Sequence, residues 1–251
     1  MTDLHTHTTF SDGKNTPEEM VQAAIEKGMG CIGFSDHCYT SFDESYCLPK
    51  HRLKEYRDTI YALKEKYRGK IKILCGIEQD LYSDTPTDDY EYVIGSLHYL
   101  KVGDEYFGLD YRPHLLKEAV QKHFGGDFYS FAETYYSTLT ELAENVDMDI
   151  IGHIDLVTKF NEGGALFDET HPRYVAAWRQ AVDRLLKKGI PFEINTGALA
   201  RGWRTTPYPS AQILEYIRAH GGKLILSSDS HSAQTLCNQF EAYADKITEG
   251  I

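Results

Sequence analysis

The chain has 251 residues, 25% of them charged and 41% hydrophobic, with a formal net charge of −12 when the histidines are neutral. That size and balance suit one large globular domain over residues 1–251, with a sizeable core. The acidic balance argues against nucleic acid or an anionic membrane as the natural partner, and no apolar run approaches the roughly 20 residues of a membrane helix.

In chain order, short β-branched or apolar runs alternate with helical patterns. TDLH (2–5) reads as a first strand. TPEEMVQAAIEKG follows as a helix, with Thr16 as N-cap, Pro17 in the first turn, Glu19 closing a capping box and Gly28 as the stop. CIGFS (31–35) is the second strand, and LKEYRDTIYALKEKY (53–67) is an amphipathic helix with a basic last turn. KILCG (72–76) and VIGSL (93–97) are the third and fourth strands. A helix around 127–146 leads to DIIGH (149–153), and one around 172–188 leads to PFEIN (191–195). A last helix around 209–220 precedes KLILS (223–227), the seventh strand. Such alternation predicts a parallel sheet with helices outside it. The chain has no GxGxxG and no GxxxxGK[ST], so dinucleotide and P-loop readings have no support.

Ligand-type residues follow every strand. His5, His7 and Asp12 come after the first, Asp36 and His37 after the second, Glu78 after the third and His98 after the fourth. The fifth ends in His153 with Asp155 beyond, the sixth in Glu193 and Asn195, and the seventh leads to Asp229 and His231. Alternating residues of a strand, such as His5 and His7, point to the same side. In a parallel α/β barrel all the C-terminal strand ends meet at one face, whereas an open sheet gathers its site at one switch point. Contributions from all seven strands therefore predict closure into a barrel.

One histidine after a strand is ordinarily a hydrogen-bonded structural residue. Six of them, with Asp12, Glu78 and Asp229 at equivalent places, would be poorly solvated and mutually repulsive without a cation. Nine nitrogen and oxygen ligands are too many for one ion and suit two or three. Mixed histidine and carboxylate shells fit zinc, manganese or iron. The cysteines, five in number, contain no CxxC pair and read as free thiols in a reducing cytoplasm. Cys38 follows His37 directly and so points away from a site that His37 faces.

HTHTTFSDG, FSDH, GIEQD, GSLH, GHIDL and SSDSH resemble, in order, the motifs of the PHP (polymerase and histidinol phosphatase) superfamily. The resemblance runs from His5 to about residue 235. It implies a distorted seven-stranded (β/α) TIM-like barrel. It also implies that His5, His7, Asp12, His37, Glu78, His98, His153, Asp229 and His231 are metal ligands, all filled by competent residues. Within the superfamily the chain is most similar to the monofunctional histidinol-phosphate phosphatases, a likeness that extends to SYCLP, YVIGSLHYL, GHIDLVTKFN and EINTGALARGWRTTPYPS. The implied reaction is hydrolysis of L-histidinol phosphate, in histidine biosynthesis, by a metal-bridged hydroxide.

Glu78 and Asp229 are then expected to bridge ions, with His231 beside the reacting groups. Arg201 and Lys159 are expected to contact the phosphate, and Arg204 is a third candidate. Asp36, His37, Asp155 and His231 all lie close enough in sequence to be considered as the proton source for the leaving group. Asp43, Glu44 and Glu162 are rim acids that could read the ammonium and imidazole of histidinol, though each by itself is expected to be solvated; Tyr39, Phe42 and Trp203 share that ambiguity and are expected to pack in the core or a lid. The alternatives are a phosphoesterase of the same superfamily acting on nucleotides or other phosphoesters, and a non-catalytic metal-binding scaffold. A small-molecule ester is the expected partner and the cytoplasm the expected location; the absence of a basic segment followed by an apolar stretch at the N-terminus argues against a signal peptide. The oligomeric state is left open.

Overall fold

A computed structural model, which describes residues 1–248, places seven parallel strands side by side in sequence order. They are β1 (Thr2–Asp3), β2 (Cys31–Phe34), β3 (Lys72–Asp80), β4 (Tyr92–Ser96), β7 (Ile150–Ile151), β8 (Phe192–Asn195) and β9 (Leu224–Ser227). Between β4 and β7 lies an antiparallel hairpin of β5 (Tyr99–Val102) and β6 (Glu105–Gly108). Sequence reading anticipated all seven parallel strands, though β1 and β7 are only two residues long and β3 runs on to Asp80. The hairpin was not anticipated.

Closure is made just beyond the short β1. His7 donates its backbone N–H to Ser230 O at 2.8 Å, and Ser230 N–H donates to His5 O at 3.2 Å. The buried Asp3 carboxylate completes the seam from β1. It accepts from the backbone N–H groups of Ser228 and Cys237, both at 3.1 Å, and from the Ser228 hydroxyl. The side chain thus supplies the bonds that a two-residue strand cannot make, and the open sheet becomes a nearly closed barrel.

The helices sit outside. α1 (Pro17–Glu26) has the expected capping box, Thr16 and Glu19 each bonding the other's backbone N–H. α2 (Leu53–Lys66) follows a 3-10 turn, and α3 (Pro113–Phe124) ends at Gly125 in the left-handed region. α4 (Phe128–Asn145) and α5 (Pro172–Leu186) pack together. Phe131, Tyr135, Tyr136, Tyr174 and Trp178 are almost wholly buried there, and removing the Phe131 ring from water alone stabilises by about 1.5–3 kcal/mol. α6 (Gly197–Ala200), α7 (Ala211–Ala219) and α8 (Phe240–Tyr243) complete the order.

Inside the barrel, Leu4, Cys31, Tyr92, Ile94 and Ile150 form a separate apolar cluster. Tyr92 is its plug. A Cβ on Gly33 would lie 2.4 Å from the Tyr92 hydroxyl, and one on Gly76 would lie 2.3 Å from the ring, so the tyrosine occupies the space those glycines leave. Its hydroxyl donates toward the carbonyls of Leu4 (2.5 Å) and Phe34 (3.0 Å). This plug forms the floor beneath the strand ends that carry the ligand-type residues. Among the described residues no helix is long and apolar enough to cross a membrane.

Candidate metal centre

Glu78, near the end of β3, is fully buried and lies at the hub. Its Oε1 is 3.1 Å from His153 Nε2, 3.2 Å from His5 Nε2 and 3.5 Å from His98 Nε2. Its Oε2 is 2.8 Å from His37 Nδ1 and 3.7 Å from His7 Nε2. Burial alone would raise this carboxyl, but the charges of His5, His98 and His37 hold it well below the usual carboxylate range. One carboxylate therefore faces five imidazoles delivered by four different segments. His98 answers in the opposite direction: burial opposes its charge, yet Glu78 and Asp80 push it up to about 9.

Asp229 is the second acid in the centre. Its backbone φ is 47°, a left-handed conformation that non-glycine residues seldom hold without a reason. It turns Oδ1 to within 3.3 Å of His7 Nε2 and 3.8 Å of His5 Nε2, while Oδ2 accepts from Arg201 at 2.8 Å. Gly197 makes room for this. A Cβ there would lie 2.9 Å from Asp229 Oδ2 and 2.8 Å from Arg201 Nη2.

Asp12 comes from the loop after β1, and Asp36 shapes that loop. The fully buried Asp36 carboxylate accepts from the backbone N–H groups of Thr8 (2.8 Å) and Ser11 (3.1 Å) and from both of their hydroxyls. Gly13 permits the tight return, because a Cβ there would fall 2.5 Å from His7 O. The loop thus carries Asp12 back to 3.2 Å from His231 Nε2 and 3.6 Å from His37 Nε2.

All nine expected ligands are brought together. They fall into four overlapping groups whose donor atoms lie within 4.8 Å of one another: His7, Asp12, His37 and His231; His5, His7 and Asp229; His5, Glu78 and His153; and His37, Glu78 and His98. Many of their atoms are buried without a hydrogen-bond partner, among them His5 Nε2, both ring nitrogens of His7, Glu78 Oε2 and His153 Nδ1. Each such orphan costs about 1–3 kcal/mol when nothing satisfies it. Convergent imidazole and carboxylate donors with unsatisfied lone pairs fit divalent transition-metal ions. Cys38 is absent from every group. It packs in the outer core, with burial pushing its thiol up to about 11.

A cavity of about 640 Å³ opens onto this cluster. Arg201 and Lys159 both line it. Arg201 is held by Asp229 and places Nη1 3.1 Å from His231 Nδ1; Lys159 pairs with Asp110 at 3.0 Å. Burial opposes ionisation of Asp110, but Lys159 holds it at about 2. Arg204 does not line the cavity. Its buried guanidinium donates to Thr158 O at 3.0 Å, to the Thr158 hydroxyl and to Thr206, bracing the turn that presents Lys159. This cation, expected near phosphate from its place in the sequence, is engaged by one backbone carbonyl and two threonine hydroxyls.

Asp36 and Asp155 do not face the cavity either. Asp155 is wholly buried, accepts from Ser210 N–H at 2.7 Å, and is pushed up to about 6 by burial against the pull of Arg204. Among the rim residues, Asp43 departs from the expectation of a solvated acid, since it accepts from the hydroxyls of Tyr99 (2.8 Å) and Tyr111. Glu44 accepts from Tyr39, and Glu162 from Thr205. Phe42 stacks on Tyr106 at 3.9 Å, while Trp203 lines the cavity against Phe160.

Sequence reasoning placed Glu193 at a strand end without giving it a role, and it missed Asp80 and Asp110. Glu193 is bonded to His5, Asp80 accepts from His98 N–H at 2.7 Å, and Asp110 faces the cavity. Glu193 had a signal, its inward phase at the end of β8. Asp110 lies just beyond the unanticipated hairpin and had none.

The model of the PHP domain family matches residues 3–197. The histidinol-phosphatase of Bacillus subtilis is 26% identical over 267 residues, which cover 97% of this chain and 98% of that protein. Two solved structures share the fold. One is from Listeria monocytogenes, provisionally named the histidinol phosphatase HisK, with a TM-score of 0.85 at 21% identity, covering 97% of this chain and 100% of the other. The other is histidinol phosphate phosphatase from Lactococcus lactis, solved with zinc, L-histidinol and phosphate, with a TM-score of 0.67 at 22% identity, covering 98% and 92%. With its family match, its barrel and its ring of strand-end histidines and carboxylates, this chain belongs to the PHP domain family.

Proposed function

We propose that this chain is a cytoplasmic histidinol-phosphatase, a metal-dependent phosphoric monoester hydrolase that converts L-histidinol phosphate to L-histidinol and phosphate. The observation that carries the reading is the cavity itself, where nine converging imidazoles and carboxylates adjoin a cationic wall of Arg201 and Lys159. The name of the Bacillus subtilis relative, over nearly the full length of both chains, supports the substrate, as does the Lactococcus lactis enzyme solved with L-histidinol and phosphate.

His5, His7, Asp12, His37, Glu78, His98, His153, Asp229 and His231 would hold two or three divalent ions, of zinc, manganese or iron. Bound there, such ions supply positive charge to phosphate oxygens and acidify water toward neutral pH. Glu78 suits a bridging role because its two oxygens face different histidines. Arg201 is oriented by Asp229 before substrate arrives, so little freedom is lost when its guanidinium meets a phosphate oxygen. Lys159 adds a second cation, aimed by Asp110 and by the turn that Arg204 braces. Asp36 and Asp155 are committed away from the cavity and do not protonate the leaving alkoxide.

The test is an assay of purified protein, with added Mn²⁺ or Zn²⁺, against histidinol phosphate and a panel of other phosphoesters. Preferred turnover of histidinol phosphate is expected. No measurable turnover of it, beside good activity on another ester, would overturn the substrate assignment.

A further inference from the structure

We propose that Glu193 is a positioning residue of the metal centre: its carboxylate fixes the His5 ring with Nδ1 protonated and Nε2 bare toward the ligand cluster. The inference rests on the metal-binding reading above. Glu193 lies on β8, almost fully buried, and belongs to none of the four ligand groups. Its two oxygens are used differently. Oε2 accepts from the backbone N–H of His153 and from Asn195 Nδ2, both at 3.2 Å. Asn195 is itself fixed, because its Oδ1 accepts from Gly197 N–H at 2.9 Å. Oε1 is left for one partner, His5 Nδ1, at 2.7 Å.

An ionised carboxylate can only accept, so the hydrogen in that bond must sit on Nδ1 of His5. In the neutral ring Nε2 then carries the lone pair. That atom lies 3.2 Å from Glu78 Oε1 and 3.8 Å from Asp229 Oδ1, buried and without a hydrogen-bond partner. A nitrogen facing two carboxylates calls for positive charge between them, a proton in the metal-free protein or a metal ion in its place. Glu193 also holds the backbone of His153, so it sets two members of the His5, Glu78 and His153 group at once. Carboxylates behind a ligating histidine fix its tautomer and orientation, and their loss typically costs about 10–100-fold in metal affinity.

The experiment titrates Zn²⁺ alone into the metal-free, full-length parent protein, E193L and E193Q, with circular dichroism to check folding. E193L fills a similar volume without an acceptor. It should weaken one class of zinc sites by about 10–100-fold while the others keep their affinity. E193Q, which retains an acceptor oxygen on the same stem, should recover most of that loss. In the zinc-loaded parent, ring-nitrogen NMR should show His5 protonated at Nδ1 and metal-bound at Nε2. Zinc affinity in E193L equal to the parent's would overturn the proposal. Metal on Nδ1 of His5 would overturn it too, and that measurement stands even if E193L fails to fold. A parent that takes up no zinc would instead overturn the metal reading beneath it.

Discussion

Early along the barrel strands, Leu4, Cys31, Tyr92, Ile94 and Ile150 close into an apolar floor in which the Tyr92 hydroxyl has carbonyl acceptors. At the far ends of the same strands, imidazoles and carboxylates crowd together and many of their buried atoms have no hydrogen-bond partner. The first arrangement stabilises the fold; the second is a cost the fold carries for the sake of a ligand. Stability and chemistry are therefore separable by mutation at the two ends of the strands; three substitutions test that separation, and a fourth, on the outer helices, is a reference for it.

The largest effect is expected from Glu78→Gln. It keeps the shape but halves the hub's capacity to accept and removes its charge, so kcat/KM should fall by at least about 10³-fold, the scale of several kcal/mol of lost charge stabilisation. Added chelator should lower the thermal midpoint of the parent protein markedly and that of the variant little. An ion present at 100 times its Kd contributes about 2.7 kcal/mol. A variant that kept both its activity and its chelator response would break the distinction between floor and mouth.

Arg201→Ala comes next, with kcat/KM down by about 10–1000-fold, as for a lost charge-assisted contact. Unchanged kinetics would remove Arg201 from the site. Tyr92→Ala reverses the pattern. Emptying the plug should cost about 3–5 kcal/mol in urea unfolding of the metal-free protein, on the scale of large-to-small core substitutions, and more than Glu78→Gln costs in the same measurement. An unchanged urea midpoint would show that the floor does not hold the barrel.

The smallest effect lies away from both ends. Asp127 caps α4 through the N–H groups of Tyr129 and Ser130 and pairs with Arg173 on α5. Asp127→Ala should cost about 1 kcal/mol at neutral pH, as for a lost cap. Arg173 holds the Asp127 carboxyl at about 2, below the ordinary value of 3.8. The folded state therefore gains from the ionised form above about pH 4 and loses that gain as pH falls through 2. The thermal-midpoint gap between parent and variant should narrow over that interval; a gap that stayed constant would rule out the charge contribution.

Much of the floor-and-mouth arrangement could be read from the sequence, for a physical reason. Strands buried on both faces are short apolar runs, and the residues after them stand out because imidazoles and carboxylates are rarely placed at so many strand ends without a task. The capping box of α1 was legible because its signals are local. The hairpin β5–β6 and α3 were not anticipated, although Gly103 with its positive φ sits at the turn in VGDE. Side-chain destinations were the least legible. Arg204 and Arg201 stand three residues apart after the same strand, yet one braces Thr158 and the other lines the cavity. Asp36 and Asp12 divide in the same way, the first shaping the loop that carries the second. These choices are made by packing between distant segments, and local sequence does not encode them.

The central claim is that the unsatisfied mouth exists to hold metal. Elemental analysis of catalytically active protein tests it most directly. The account predicts two or more divalent transition-metal ions per chain, lost together with activity when Glu78 is changed. Full activity in protein carrying less than one such ion per chain would contradict it.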